Sequence, residues 1–172
     1  MCALRDCWRR PPTVPHGASI ACVVLALVGG CASIARQPLI VQAAFPALER
    51  ETFDLVNAHR VATGLRALAW DEMIASECRA HCARMARADR YLAHEGFSQR
   101  ASSIRRITSF LRVSENVGSN HGFDDPAAAA LQGWLESPRH REAIEGSYAA
   151  TGIGVDRGAS GTYYFTEIFV QN

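Results

Sequence analysis

The chain has no lysine: all 18 of its basic residues are arginine, set against 17 acids. No basic stripe with interleaved aromatics occurs, so no nucleic-acid partner is expected. The missing lysine is read as codon usage in a GC-rich genome, not as a phosphate-binding device. No apolar run reaches the roughly 20 residues that a membrane-spanning helix needs. There is no His-Glu-x-x-His pair, which removes the usual helix of a zinc protease. There is also no Gly-x-Ser-x-Gly, since Gly158-Ala159-Ser160-Gly161 is a turn without that motif, and this removes the nucleophile elbow of a serine hydrolase. Internal repeats and low-complexity blocks are absent as well. What remains is ordinary for one globular domain: 172 residues, 48% hydrophobic and 20% charged.

The first thirty-one residues read as an address. Arg5, Arg9 and Arg10 precede an apolar run from Ala18 to Gly30, which suits the h-region of a signal peptide. Arg9-Arg10 is followed by Pro11-Pro12-Thr13, which does not fit a twin-arginine signal. The run ends in Leu27-Val28-Gly29-Gly30-Cys31-Ala32-Ser33. That is similar to a bacterial lipobox, in which the cysteine is acylated and becomes the mature N-terminus. The competing reading is an ordinary secretory signal cut near Ala32. Lipidation of Cys31 predicts a domain fixed at a membrane by its acyl chains, on the periplasmic side of an outer membrane. Residues 32–46 carry one charge, Arg36, and are expected to be a flexible tether. Without residues 1–30 the formal charge falls from +1 to about −1.

Of the six cysteines, Cys2, Cys7 and Cys22 leave with the signal, and Cys31 is the lipidation site. Cys78 and Cys82 remain, four apart on a segment that reads as helix. Three readings are open for them. A disulfide is conceivable in an oxidising compartment but strained along one helix face. Metal binding with His81 is a second. Burial as small apolar side chains in line with Ile74 and Met85 is the third and the favoured one.

Helical spacing predicts a first helix over Ala47 to Ala62, stopped by Gly64. A short link then leads to Asp71, an N-cap for a second helix over Glu72 to Ala88. Its apolar line is Ile74, Cys78, Cys82 and Met85. A weak helical stretch is expected around Ile104 to Leu111, and a strand over Val113 to Gly118. Asp125-Pro126 and Ser137-Pro138 each give a helix start. Thr151 to Asp156 and Thr162 to Val170 alternate like paired strands. Helices first and strands last predict an α+β fold.

Four stretches set polar or imidazole groups beside residues that need burial. They are Tyr91-Leu92-Ala93-His94, Ser114-Glu115-Asn116-Val117, Trp134-Leu135-Glu136-Ser137-Pro138-Arg139-His140-Arg141 and Gly152-Ile153-Gly154-Val155. A fold that brings His94, Glu115 and His140 into one cleft would offer two imidazoles and a carboxylate, a set suited to zinc or another divalent cation. The same three groups could instead form a structural hydrogen-bond network, or act as acid and base, although no nucleophile stands beside them.

In order and spacing these stretches, with Val56-Asn57-Ala58-His59-Arg60 and Leu68-Ala69-Trp70-Asp71, resemble the CAP/SCP superfamily. That group holds cysteine-rich secretory proteins, antigen 5 and plant pathogenesis-related 1 proteins, and the likeness here is to its bacterial SCP-like lipoproteins. The resemblance covers residues 47–172 and implies a three-layer α-β-α sandwich. It implies a cleft of His94, Glu115 and His140, framed by Asn116, Trp134 and Ser137. Many members add a second acid, for which Glu136 stands near the expected place, with Glu95 and Glu167 as further substitutes. No single reaction belongs to the family. The expectation is therefore a binding module for a divalent cation or a small apolar ligand such as a lipid, in preference to an enzyme. A hydrolase of peptides or envelope polymers is one alternative, and a protein-interaction domain with a structural His/Glu network is the other.

Overall fold

The structure is a computed structural model that describes residues 40–171. The signal segment with Cys31 and the first part of the expected tether lie outside the described residues.

The chain opens with α1 (Ile40–Ala62). It begins seven residues earlier than the sequence suggested, so residues 40–46 are helical where a flexible tether was expected. Pro46 lies inside this helix, in its second turn, where its missing N–H removes one backbone hydrogen bond. Beyond Gly64, which adopts a left-handed φ of 81°, comes a two-residue strand, β1 (Ala69–Trp70). It lies within the stretch read as a link, being too short to show periodicity. Asn57 holds this approach in place. Its amide oxygen accepts from the Leu68 N–H at 2.7 Å and its amide nitrogen donates to the Leu68 carbonyl at 3.1 Å.

Next is α2 (Glu72–Ala88), capped by Asp71, whose carboxylate accepts from Met73 and Ile74 N–H groups. Its bounds and its buried line are those read from the sequence. Ile74, Cys78, Cys82 and Met85 are all fully buried. A second correction concerns α3 (Phe97–Arg105), which ends close to where the predicted weak helix was to begin. Ile104, Ile107 and Leu111 have helical spacing, but Ile107 and Leu111 are exposed and only Ile104 is buried.

The remaining elements are β2 (Arg112–Asn120), α4 (Pro126–Glu136), α5 (Pro138–Ile144), β3 (Ala150–Arg157) and β4 (Tyr163–Gln171). Asp125 caps α4 through the Ala128 N–H at 2.8 Å. The sheet order is β1-β3-β4-β2, with β1 parallel to β3 and the other pairs antiparallel. This leaves β2 at an edge.

Helices α2 and α3 cover one face of the sheet, and α1, α4 and α5 cover the other. The result is the expected α+β, α-β-α sandwich. Alternation along β4 fills both layers. Phe165 and Phe169 join Phe53, Val56, Trp134 and Ile144 on one side, while Ile168 and Val170 join Ile74, Cys78 and Ile104 on the other. Cys78 and Cys82 are free thiols buried between α2 and β3. They lie 3.2 and 3.1 Å from the carbonyl oxygens of Gly152 and Gly154 and donate to them. Burial pushes the Cys82 thiol up to about 12, so it is an inert packing group and not a nucleophile.

Candidate functional site

The site forms along the outer edge of β2, where the two helical layers meet. Glu115 is paired with Ile168 in the ladder, so its side chain faces the α2/α3 layer. There it is nearly sealed, with 1% of the side chain exposed. His94 arrives on the α2–α3 connection, and its Nδ1 lies 3.0 Å from Glu115 Oε1. His140 arrives from α5 in the opposite layer, its ring centroid 6.2 Å from that of His94. The structure thus brings the three sequence-predicted groups together, two imidazoles over one edge strand.

The neighbourhood was missed by sequence reasoning in one respect. Arg100 of α3 is 2% exposed and grips Glu115 with both arms of its guanidinium. Nε donates to Oε2 at 2.7 Å and Nη2 donates to Oε1 at 2.8 Å. Its remaining nitrogen, Nη1, donates to the Glu95 carbonyl at 2.8 Å and lies 3.2 Å from His81 Nδ1. His81 is fully buried. Its Nε2 lies 2.8 Å from the Ala93 carbonyl. A carbonyl accepts only, so Nε2 carries the proton and Nδ1 is left as an acceptor for Arg100 and Arg84. Burial pushes the His81 imidazole below its ordinary range, which keeps that ring neutral. Ala93 has φ 48°, a left-handed conformation that costs a non-glycine residue about 1–2 kcal/mol. The strain sits one residue before His94, where it turns the Ala93 carbonyl to His81.

One signal could have found Arg100. A carboxylate predicted to be buried needs a cation or several donors, and Arg100 lies in the stretch between Gly96 and Val113, which contains no acid. With the helix placed too late in that stretch, Arg100 fell outside any predicted element.

His140 is half-buried and its Nδ1 is buried without a hydrogen-bond partner. Burial, and after it the charge of His94, pushes its imidazole down, so at neutral pH the ring is uncharged. Asn116 Nδ2 donates to the His140 carbonyl at 3.1 Å and fixes α5 against β2. Trp134 is buried against Gly118, and Ser137 lies in the junction between α4 and α5. Glu136 is exposed on α4, where Gln132 donates to it at 3.0 Å; among the described residues no hydrogen bond or ion pair links it to either imidazole. Glu95 is exposed and contributes its carbonyl alone.

Glu167 lies on the other face of the sheet, paired with Asn116. It is fully buried, accepts from Thr151 Oγ1 at 3.0 Å, and its Oε2 has no partner. Burial pushes its carboxyl up to about 8, against weaker lowering by Thr151 and Arg60. A raised folded pKa means a folded form that holds its proton more tightly. The stabilising difference is complete below the ordinary value of 4.5 and is lost as pH rises through about 8. Glu167→Gln should therefore flatten the loss of stability between pH 5 and 9, an effect on the order of a few kcal/mol, measured by urea unfolding at both pH values.

Does the set fit the divalent cation that the sequence led us to expect? Glu115 accepts hydrogen bonds from Arg100 on both oxygens, and His94 Nδ1 lies against one of them, beside a full positive charge. Among the described residues no group of three His, Cys, Asp or Glu side chains is arranged to hold a metal ion. The predicted three-ligand set does not fit, because its carboxylate is already occupied.

Two concavities lie elsewhere. One is lined by Ser98, Gln99 and Arg106 on and just after α3, the other by Leu48, His121 and Tyr163 at the opposite end of the sheet. Among the described residues no helix is long and apolar enough to cross a membrane.

Comparison with known proteins gives a consistent picture. The family described as "CAP: Cysteine-rich secretory protein family" matches residues 53–172. A curated relative, the uncharacterized membrane protein YlbC of Bacillus subtilis (strain 168), is 34% identical over 129 residues, covering 72% of this chain and 34% of the relative. An extracellular protein containing a SCP domain from Bacillus anthracis str. Ames has a TM-score of 0.66 at 26% identity, over 81% of this chain and 45% of that one. An outer surface protein from Borrelia burgdorferi has a TM-score of 0.63 at 16% identity, over 73% of this chain and 93% of that one, a likeness of fold alone. The chain spans about a third of the length of the curated relative and under half of the B. anthracis protein.

Proposed function

The chain belongs to the cysteine-rich secretory protein (CAP) family, and on that premise we propose that it is an extracytoplasmic, membrane-tethered binding module whose ligand is held between the imidazoles of His94 and His140. The observation that carries this reading is the unfinished bonding of the pair. His94 is half exposed, at 51% of its side chain, and turns Nε2 away from Glu115. His140 keeps a buried ring nitrogen with no partner. Leaving such an atom unpaired costs about 1–3 kcal/mol. A ligand group that enters as the His140 ring turns would complete the bonding.

The ligand class follows from the atoms on offer. Two imidazoles over an edge strand can take a hydroxyl, a carboxyl or a soft cation. A polar-headed amphiphile drawn from the membrane fits both the site and a lipid-anchored chain. The extracellular and membrane relatives agree with a place outside the cytoplasm. Hydrolysis is less well supported. Arg100 already neutralises the carboxylate behind His94, and no hydroxyl or thiol nucleophile is bonded to either ring among the described residues.

The test is titration of palmitate, and separately of zinc, into the full chain in detergent, beside a His94→Ala/His140→Ala variant of verified fold. Binding of palmitate at least ~10-fold tighter in the native chain supports the reading; equal binding, or none of either probe, contradicts it. The tether is tested in cells, where Cys31→Ala should move the chain from the membrane fraction to the soluble one.

A further inference from the structure

We infer that Arg100 is the resident cation of this site: its guanidinium takes the place on Glu115 that a divalent metal would occupy, and holds the site together without one. The inference concerns Arg100 and Glu115 and stands whether or not a ligand binds between the imidazoles.

A carboxylate taken out of water needs charge compensation and donors for its lone pairs, or the cost runs to several kcal/mol. Two chemistries supply both: a metal ion, or a guanidinium with its planar fork. Here the fork is in place. Arg100 contributes two donors to the two oxygens of Glu115 at 2.7 and 2.8 Å, and neither side chain is more than 3% exposed.

The surroundings are built for a cation at that position and not for a side chain passing through. The Glu95 carbonyl and the neutral His81 Nδ1 both face Nη1. His81 can act as an acceptor only because the Ala93 carbonyl fixes its other nitrogen as the donor, and Ala93 takes a left-handed backbone conformation to place that carbonyl. Glu95, His81 and Ala93 thus bear, with Glu115, on the guanidinium or on the group that receives it.

The consequence reaches His94. With Oε2 held by Arg100 Nε and Oε1 shared with Nη2, Oε1 accepts the His94 Nδ1–H. That assigns the ring tautomer and turns Nε2 outward. Arg100 is therefore a positioning residue. It acts on any ligand through Glu115 and the His94 ring, and the carboxylate itself never reaches the ligand.

The deciding experiment is zinc titration by calorimetry of the full chain in detergent. It compares the native protein, Glu115→Gln, Arg100→Ala and Arg100→Ala/Glu115→Gln, with thermal unfolding of the native protein with and without EDTA. The native protein and Glu115→Gln should have the same zinc affinity within about twofold, and EDTA should leave Tm unchanged. Arg100→Ala should gain at least ~10-fold in zinc affinity, and the double variant should lose that gain. A native site that loses zinc affinity by ~10-fold or more in Glu115→Gln overturns the inference, because the carboxylate would then be a ligand. A folded Arg100→Ala without any gain also overturns it. If Arg100→Ala does not fold, the comparison of the native protein with Glu115→Gln decides alone.

Discussion

Arg100→Ala should lower the stability of the domain by about 3–5 kcal/mol, the loss expected when one partner of a buried ion pair is removed and the other is left behind. Glu115 would remain in a niche with 1% of its side chain exposed. It would face the His94 ring on one side and no donor on the other. The Glu95 carbonyl would lose its Arg100 donor as well, while His81 Nδ1 would keep Arg84. Arg100→Lys should fall between the two, since an ammonium keeps the charge but cannot bridge both oxygens in one plane. Arg100→Met/Glu115→Leu should recover much of the stability, because a well-packed apolar pair often does as well as a buried ion pair. It should not recover the orientation of His94. Urea unfolding of the four proteins separates these outcomes: a loss under about 1 kcal/mol for Arg100→Ala would mean that the pair is solvated and behaves like a surface salt bridge.

A loss of similar or greater size is expected at the contact between α2 and β3. A Cβ at Gly154 would stand 2.2 Å from Arg79 N and 2.3 Å from Cys78 C; at Gly152 it would stand 2.2 Å from Ala75 N and 2.6 Å from Ile74 C. These are backbone atoms of a helix that packs against the whole strand, so no rotamer change relieves the overlap. The helix would have to lift, uncovering Ile74, Cys78, Cys82 and Met85 and breaking the thiol bonds to the two glycine carbonyls. Gly152→Ala and Gly154→Ala should each cost more than ~3 kcal/mol, beyond the usual overpacking range. Gly118→Ala is the control. There the nearest atom is Nε1 of the Trp134 side chain, 3.1 Å away, and a loss of about 1 kcal/mol is expected. Chemical unfolding of the three variants gives the ranking. Two glycines spaced by one residue therefore serve the packing of a helix on a strand and not a flexible turn.

These two contacts also mark what could be read before the structure. The extent of α2 follows from an Asp cap and an apolar line at steps of four, four and three. The starts of α4 and α5 follow from Asp-Pro and Ser-Pro, whose second residues are favoured in the first turn of a helix. The final hairpin follows from alternation on either side of a glycine-containing turn. Failure came where local pattern and tertiary placement diverge. Ile104, Ile107 and Leu111 are spaced like a helical face, but the chain turns after Arg105 and leaves two of the three in solvent. β1 is two residues long, and its pairing with β3 depends on Asn57 holding Leu68, a contact eleven residues apart.

The site divides in the same way. His94, Glu115 and His140 stood out because imidazoles and a carboxylate sat next to apolar residues that had to be buried. Their convergence at the edge of β2 followed from the resemblance. Arg100 did not stand out. An arginine on a weakly amphipathic helix is normally a solvated residue, and nothing local says that its guanidinium turns inward. Only the electrostatic need of Glu115, itself a tertiary fact, identifies it. Glu115, expected from the sequence as a metal ligand, stands bonded to Arg100 and His94.

The most direct measurement of this arrangement is nitrogen-15 NMR of the histidine ring nitrogens in the full chain at neutral pH, before and after addition of palmitate. The account predicts a His94 ring fixed with the proton on Nδ1 and a neutral His140 ring, with ligand-induced shifts at His94 Nε2 and in the His140 ring while His94 Nδ1 stays in place. Rings that exchange tautomers freely and do not respond to a bound ligand would contradict it, and would remove the imidazole pair as the centre of binding.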